Sequence, residues 1–123
     1  MHADHALYSY NYLYKISDNP TFIHKMITLF INSLTEYTGD LQQLQETKVL
    51  HDLKRVVHKL KPSVLSMEVK GAKEIITELE EAEKWDAEVE KKVAQLKRVF
   101  QQIKPMMEKD LKKIKIDENP SES

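Results

Sequence analysis

Hydrophobic residues recur every three or four positions through most of the chain, the spacing that places side chains on one face of an α-helix. The longest such run is Ile23, Ile27, Phe30, Leu34, Tyr37, Leu41 and Leu44. Asn19 can cap its start, and Pro20 suits the first helical position, where a missing N–H costs nothing. The run therefore predicts a helix of about seven turns, which Gly39 weakens without ending.

Three further segments show the same spacing and predict amphipathic helices. Thr47 is a suitable cap for the first of them, whose hydrophobic positions are Leu50, Leu53, Val57, Leu60, Val64 and Met67. The second runs from about Val69 to Glu83, and the residues expected to face the core are Ala72, Ile75, Ile76, Leu79 and Ala82. Asp86 can cap the third, whose stripe is Val89, Val93, Leu96, Phe100, Ile103 and Met107, continuing toward Leu111 and Ile114. Pro105 removes one backbone hydrogen bond and predicts a kink or break there.

The first segment, Leu7 to Ile16, is short and rich in tyrosine, and it predicts a short helix across one end of the molecule. Four amphipathic helices joined by short loops pack as an antiparallel up-and-down bundle. We therefore expect an all-α fold, a four-helix bundle with a short extra N-terminal helix. The bundle domain is expected to span residues 1–116, and the polar segment 117–123 is expected to be a disordered tail.

Composition narrows the possible functions. The chain has 123 residues, 41% of them hydrophobic and 32% charged, which fits one globular domain. Its 2 glycines, Gly39 and Gly71, are too far apart to form a phosphate-binding or dinucleotide-binding loop, so no nucleotide cofactor is expected. Cysteine is absent, which excludes disulfides and thiolate chemistry and fits a cytoplasmic protein. No apolar run approaches the roughly 18 residues of a membrane span, and no secretion signal is recognisable.

Charge is distributed unevenly although the net charge is only −1. Residues 48–61 carry five bases and one acid, residues 74–90 carry eight acids and one base, and residues 91–115 carry nine bases and two acids. The first interpretation is that neighbouring helices have complementary surfaces. The second is that the basic stretch 48–61 faces an acidic partner. A nearly neutral chain gives no general attraction to nucleic acid, so no nucleic-acid partner is expected.

One face of the predicted helix whose hydrophobic stripe runs from Leu50 to Met67 carries candidate chemistry. Its residues are spaced by three or four: His51, Lys54, Arg55, His58 and Lys61. His58 lies about 100° around the helix from the core residue Val57, so its ring is expected at the solvent-exposed edge of the core. A neutral imidazole is a good nucleophile and can hold a phosphoryl group through a P–N bond. Lys61 is one turn away from such a group. Lys59, not an acid, follows His58, so the histidine resembles an acceptor on which another protein acts.

Pro62 stands four residues after His58, where its missing N–H leaves the carbonyl of His58 without its usual helical donor. Two interpretations are open. Either Pro62 ends the helix early, or the helix continues with a local bend to Val64 or Met67.

Residues 58–63 resemble the motif of the histidine-containing phosphotransfer (HPt) family. That motif is a histidine, a variable residue, a leucine, a lysine, a small residue that is usually glycine, and often a serine. Here it reads His58-Lys59-Leu60-Lys61-Pro62-Ser63. The resemblance extends over about residues 7–103 and includes Asn19-Pro20-Thr21-Phe22, Leu29-Phe30, Gly71-Ala72 and Leu79-Glu80. Pro62 departs from the pattern, since it replaces the glycine that lets a receiver domain approach.

The resemblance implies a shuttle in a two-component phosphorelay. His58 is then the phosphoacceptor, Lys61 stabilises the phosphate, and Ser63 matches the motif without an assigned role. Docking of the partner is expected at Lys54, Arg55, Pro62 and Leu65. The implied partners are the receiver domains of a hybrid histidine kinase and of a response regulator, and the receiver supplies the metal ion. The chain itself is expected to be a monomer without a cofactor, a metal or ATP-dependent kinase activity.

Three other interpretations compete with the shuttle. The dimerisation helices of a histidine kinase also carry a phosphorylated histidine, but an acid normally follows it and an ATP-binding domain comes after. A helical adaptor without chemistry would show no phosphorylation of His58. A carboxylate-bridged metal bundle needs Glu-x-x-His pairs on facing helices, and this sequence has none.

Overall fold

The computed structural model describes residues 7–115, and this part of the chain forms five helices. They are α1 (Asn11–Ile16), α2 (Pro20–Thr47), α3 (Leu50–Ser66), α4 (Ala72–Glu81) and α5 (Ala87–Lys113). α2 packs against α3 and α5, and α4 packs against the same two helices, so these four close a bundle. The predicted all-α four-helix bundle with a short extra N-terminal helix is confirmed. The predicted tail, residues 117–123, lies outside the described residues.

The hydrophobic stripes meet in one continuous core. Every predicted member of the α2 stripe is buried: Ile23, Ile27, Phe30, Leu34, Tyr37, Leu41 and Leu44. On α3, Leu53, Val57, Leu60 and Val64 are fully buried. Burying each such side chain stabilises the fold by about 1.5–3 kcal/mol. The packing therefore fixes the backbone of α3, whose opposite face carries the histidine.

Two of the three predicted helix caps are present. The Asn19 side chain accepts a hydrogen bond from the backbone N–H of Thr21 at 2.8 Å, and the Asp86 side chain accepts one from Val89 at 2.9 Å. The prediction for Thr47 is wrong, because Thr47 is the last residue of α2 and Val49 precedes α3 without a side-chain cap. Lys48, at φ 55°, reverses the chain within two residues and leaves no room for a separate cap.

Both helices that contain an internal proline continue past it. α5 runs through Pro105 to Lys113, so the helix does not break there. α3 runs through Pro62 to Ser66, so the interpretation in which Pro62 ends the helix is wrong. Both prolines are exposed, while buried stripe residues lie before and after each of them. Packing on both sides of the missing hydrogen bond therefore holds each helix together.

The α4 helix is shorter than the predicted segment from Val69 to Glu83. It begins after Gly71, whose φ of 81° is in the left-handed region, and it ends before Ala82, which is extended. Val69 is nevertheless buried, so the hydrophobic pattern marked a core residue that lies in the preceding loop. A left-handed residue cannot continue a right-handed helix, which sets the start of α4 at Ala72.

The N-terminal segment also differs from its prediction as a helix beginning at Leu7, since α1 begins at Asn11. Residues 7–10 instead run beside the loop between α3 and α4. The Ser9 N–H donates to the carbonyl of Met67 at 3.0 Å, and the Lys70 N–H donates to the carbonyl of Leu7 at 2.8 Å. Because these hydrogen bonds join the backbone of residues 7–10 to the loop after α3, the same residues do not form the first turn of a helix.

Ion pairs join neighbouring helices as the first interpretation of the charge pattern predicted. Lys61 of α3 pairs with Glu80 of α4. Lys92 of α5 pairs with Glu78 of α4 at 2.5 Å. The basic stretch 48–61 therefore meets acids of this same chain, and only part of its positive charge remains for a partner.

Glu68, in the loop between α3 and α4, offers a test of the local backbone. Its φ is 49° and its side chain is exposed. A left-handed conformation costs a non-glycine residue about 1–2 kcal/mol, against about 0.5–1 kcal/mol for ordering a glycine. We expect Glu68→Gly to raise the free energy of unfolding by about 0.5 kcal/mol, measured by urea denaturation.

The control for this substitution is Glu108→Gly, which places a glycine at an exposed position inside α5. That variant should lower the free energy of unfolding by about 1 kcal/mol. Equal destabilisation by both substitutions would contradict the expected gain at Glu68.

Candidate functional site

His58 lies in the middle of α3 with an exposed side chain, as its angular position predicts. The core residues next to it in the sequence and on the following turn, Val57 and Leu60, are 0% exposed. The ring therefore lies on the outside of the bundle while the backbone beneath it is immobilised by packing. Such an arrangement presents an imidazole to another macromolecule at a fixed position.

A strip of α3 surrounds this histidine at helical spacing. It consists of Arg55, His58, Pro62 and Leu65, and we call it the His58 face. Leu65 is half-buried and the other three side chains are exposed. The Arg55 guanidinium donates to Asp52 of the same helix at 3.1 Å, an i,i+3 pair in which the Arg55 side chain is 69% exposed. Because an exposed pair of this kind contributes little, Arg55 is available to a partner.

Lys61 and Lys54 lie at the edge of the His58 face, beside α4. The Lys61 Nζ donates to both carboxylate oxygens of Glu80, at 3.0 and 3.3 Å. The Lys54 Nζ donates to the backbone carbonyl of the same residue at 2.8 Å. Glu80 thus contacts both lysines that flank His58 on this side. Lys61 follows His58 by one helical turn, and in this structure it is paired with a carboxylate.

Lys59 lies on the opposite side of His58 and is engaged with α2. Its Nζ donates to Glu36 at 2.9 Å and to Asp40 at 3.0 Å, and it lies 6.0 Å from the centre of the Tyr37 ring. The hydrogen bond to Glu36, followed by the one to Asp40, raises the pKa of Lys59 above its ordinary value. The Lys59 ammonium group is therefore used in the contact between α3 and α2.

Ser63, the motif serine, is also turned toward α2. Its Oγ lies 3.0 Å from the Tyr37 hydroxyl and donates to the carbonyl of Leu60 at 3.2 Å. Ser63 is therefore used in the contact between two helices. The exposed ring of Pro62, on the His58 face, leaves the carbonyl of His58 without its helical donor.

Glu80 is the residue of this site that the sequence analysis did not assign. The sequence indicated only the region in which Glu80 lies, the acidic stretch 74–90, whose charge is opposite to that of the basic stretch 48–61. Eight acids occupy that stretch, and the sequence does not indicate which of them meets Lys61. The packing register of α3 on α4 makes that choice.

Residues 7–115 contain no group of three or more histidine, aspartate or glutamate side chains that could hold a metal ion. Over the same range, no helix combines the length and the hydropathy needed to cross a membrane. The His58 face itself presents an exposed imidazole with Arg55 beside it and with Lys54 and Lys61 at its edge.

Comparison with protein families gives a match over most of the bundle. The family model of the Hpt domain matches residues 25–109, a range that holds most of α2, all of α3 and α4, and most of α5. Comparison with curated proteins gives no match, and comparison with solved structures gives none either. Because the family model covers well over half of the chain and includes the complete His58 face, the protein belongs to the Hpt domain family.

Proposed function

We propose that His58 accepts a phosphoryl group from the aspartate of one receiver domain and passes it to the aspartate of a second receiver. Membership of the Hpt family supports the general class, histidine phosphotransfer in phosphorelays. One observation carries the choice of residue. His58 is an exposed histidine on a fully packed backbone, with Lys61 one helical turn further along the same helix.

The proposed chemistry needs only groups that the two proteins bring together. An imidazole nitrogen of His58 attacks the phosphorus of the aspartyl phosphate, a P–N bond forms, and the P–O bond to the aspartate breaks. The electron pair leaves with the aspartate carboxylate, and the imidazole loses one N–H proton to solvent. The second step reverses these changes on another receiver. Positioning and charge stabilisation dominate phosphoryl transfer, and the receiver supplies the metal ion for both steps.

The His58 face is the proposed docking surface for the receivers. Arg55 is exposed there and can reach an acidic receiver surface, while Pro62 and Leu65 offer apolar contact. The short ring of Pro62 takes the place of the family's usual glycine and leaves the approach to His58 open. Lys54 lies at the edge of the face, held by the carbonyl of Glu80. The proposal includes action as a monomer in the cytoplasm, as expected from the sequence.

The direct test uses a receiver domain that carries a radiolabelled aspartyl phosphate. When it is mixed with the protein, label should appear on the protein in an acid-labile and alkali-stable form, the behaviour of a phosphohistidine. Label in an acid-stable form would contradict the assignment to histidine. Binding of the receiver without any transfer of label would favour the alternative, a helical adaptor without chemistry.

Lys61→Ala tests the predicted phosphate-stabilising residue. We expect the phosphorylated protein to lose its label about three- to tenfold faster, because a charge-assisted hydrogen bond at a partly exposed site is removed. The measurement is the half-life of the label after the receiver has been removed, with helicity checked by circular dichroism.

The matched control is Lys59→Ala, which removes a neighbouring cation that is held by Glu36 and Asp40 on α2. Its label should persist within about twofold of the unsubstituted protein, since loss of an exposed ion pair has a small effect. A longer half-life in Lys59→Ala than in Lys61→Ala is the expected order. Equal half-lives in both variants would remove Lys61 from the site.

A further inference from the structure

Glu80 holds the ammonium group of Lys61, which the proposed reaction needs beside the phosphoryl group on His58. Its carboxylate accepts from the Lys61 Nζ at 3.0 and 3.3 Å, and the side chains of Lys61 and Glu80 are 39% and 30% exposed. Its backbone carbonyl accepts from Lys54 at 2.8 Å. Leu79, the residue before it, is 1% exposed and anchors this turn of α4 in the core. The carboxylate is therefore attached to a fixed backbone beside the His58 face.

We propose that Glu80 is a positioning residue that competes with the phosphoryl group for Lys61 and so weakens the hold of His58 on that group. This inference rests on the proposed function, because it needs His58 to carry phosphate. It gives Glu80 a role in the balance between accepting and releasing the phosphoryl group.

The competition follows from charge. A phosphoryl group brings nearly two negative charges and strong acceptor oxygens to the His58 ring, one helical turn from Lys61. Before transfer, the ammonium of Lys61 is neutralised by Glu80. After transfer, Lys61 either leaves the carboxylate or divides its donors between carboxylate and phosphate. In either case, the contact between Lys61 and the phosphoryl group stabilises the phosphorylated state by less free energy than the same contact with an unpaired lysine would.

The structure distinguishes Lys61 from the other cations of this region. Lys59 donates to two carboxylates of α2, and its pKa is raised by them. Among the residues that the structure describes, Lys61 is held by a single carboxylate, at a partly exposed position. A lysine held by one partner exchanges that partner more readily, so Glu80 can tune its availability without blocking it.

The test is Glu80→Gln, which keeps the size of the side chain and the backbone carbonyl that accepts from Lys54. The protein and one labelled receiver are brought to equilibrium, and the ratio of labelled to unlabelled protein is measured. We expect that ratio to increase about two- to fivefold in Glu80→Gln, the range of a partly exposed ion pair. The increase should shrink in high salt, because the competition is electrostatic.

The same substitution is then made in two other backgrounds. In Lys61→Ala, Glu80→Gln should leave the labelled fraction unchanged, because the residue through which it acts is missing. In Lys61→Arg, which keeps the charge, it should raise the labelled fraction as it does in the unsubstituted protein. Glu36→Gln, which removes a carboxylate from Lys59, is the matched control and should have no effect.

The outcomes separate this inference from the function on which it rests. If the unsubstituted protein takes no label, both the proposed function and the role of Glu80 are overturned. If it takes label and Glu80→Gln has no effect, only the role of Glu80 is overturned. An equal increase with and without Lys61 would also overturn it, because the effect would then be a general loss of negative charge near the phosphate.

Discussion

Replacing His58 with glutamine is expected to reduce labelling of the protein by a phosphorylated receiver at least about 100-fold, to background, since the nucleophile itself is lost. Glutamine has a similar polarity and length, but its amide nitrogen cannot hold a phosphoryl group under these conditions. The fold should be unaffected because His58 is exposed and the core residues around it are unchanged. The measurement is transfer of radiolabel from the receiver, with binding of the receiver followed separately.

His51→Gln is the matched control for this experiment. His51 is also exposed and lies on the same helix seven residues earlier, beyond the end of the His58 face. It should retain transfer within about twofold, since an exposed side chain at the rim of a contact contributes little. Full labelling of His58→Gln, or loss of labelling in His51→Gln alone, would move the acceptor to another residue.

The parts of the fold that could be predicted are those fixed by local chemistry. The start of α2 follows from a capping side chain at Asn19 and a proline at the first helical position, and both are effective within one turn. The buried stripes follow from spacing alone, because a helix places every third or fourth residue on one face. Such features need no knowledge of the neighbouring helix.

The parts that could not be predicted depend on contacts between distant residues. The prediction of a cap at Thr47 is wrong because the chain reverses at Lys48. That residue has a left-handed conformation, which the sequence does not indicate. Of the kink or break predicted at Pro105, the break is absent because burial on both sides of the proline outweighs one missing hydrogen bond. In the candidate site, the spacing and motif predict roles for His58 and Lys61, whereas the partner of Lys61 is set by the packing of α3 on α4.

Asp110 is the clearest case of a residue whose role depends on distant contacts. It lies three residues after Met107, on the buried side of α5, and it is 6% exposed. The hydroxyls of Tyr8 and Tyr10 donate to its Oδ2 atom at 2.5 and 2.6 Å. An acid at stripe spacing and a tyrosine-rich N-terminal segment were both visible in the sequence, but nothing in it joined residues about a hundred positions apart.

The two tyrosines also predict how stability depends on pH. Burial, followed by the hydrogen bond to Asp110, raises the pKa of Tyr8 and Tyr10 above the ordinary value of 10.0. Their protonated forms are therefore favoured in the folded state. This stabilisation is fully present below pH about 10 and falls as pH rises further, because the unfolded chain releases its tyrosine protons first.

Asp110→Ala is accordingly expected to lower the free energy of unfolding by about 3 kcal/mol, the cost of leaving two buried hydroxyls without their acceptor. Urea denaturation followed by circular dichroism measures it. Tyr8→Phe, which removes a single hydroxyl and leaves Tyr10 paired, should cost about 1 kcal/mol and remains measurable if Asp110→Ala does not fold.

Glu108→Ala is the matched control, an exposed acid on the same helix two residues earlier, and it should change stability by less than about 0.5 kcal/mol. A loss below about 1 kcal/mol in Asp110→Ala would show that water replaces the carboxylate as acceptor. With the expected loss, the N-terminal segment is held on the bundle by a buried polar contact to α5 in addition to its backbone bonds with the loop after α3. Such a contact stabilises a segment too short to fold by itself as a helix, since isolated helices under about 12 residues are marginal in water.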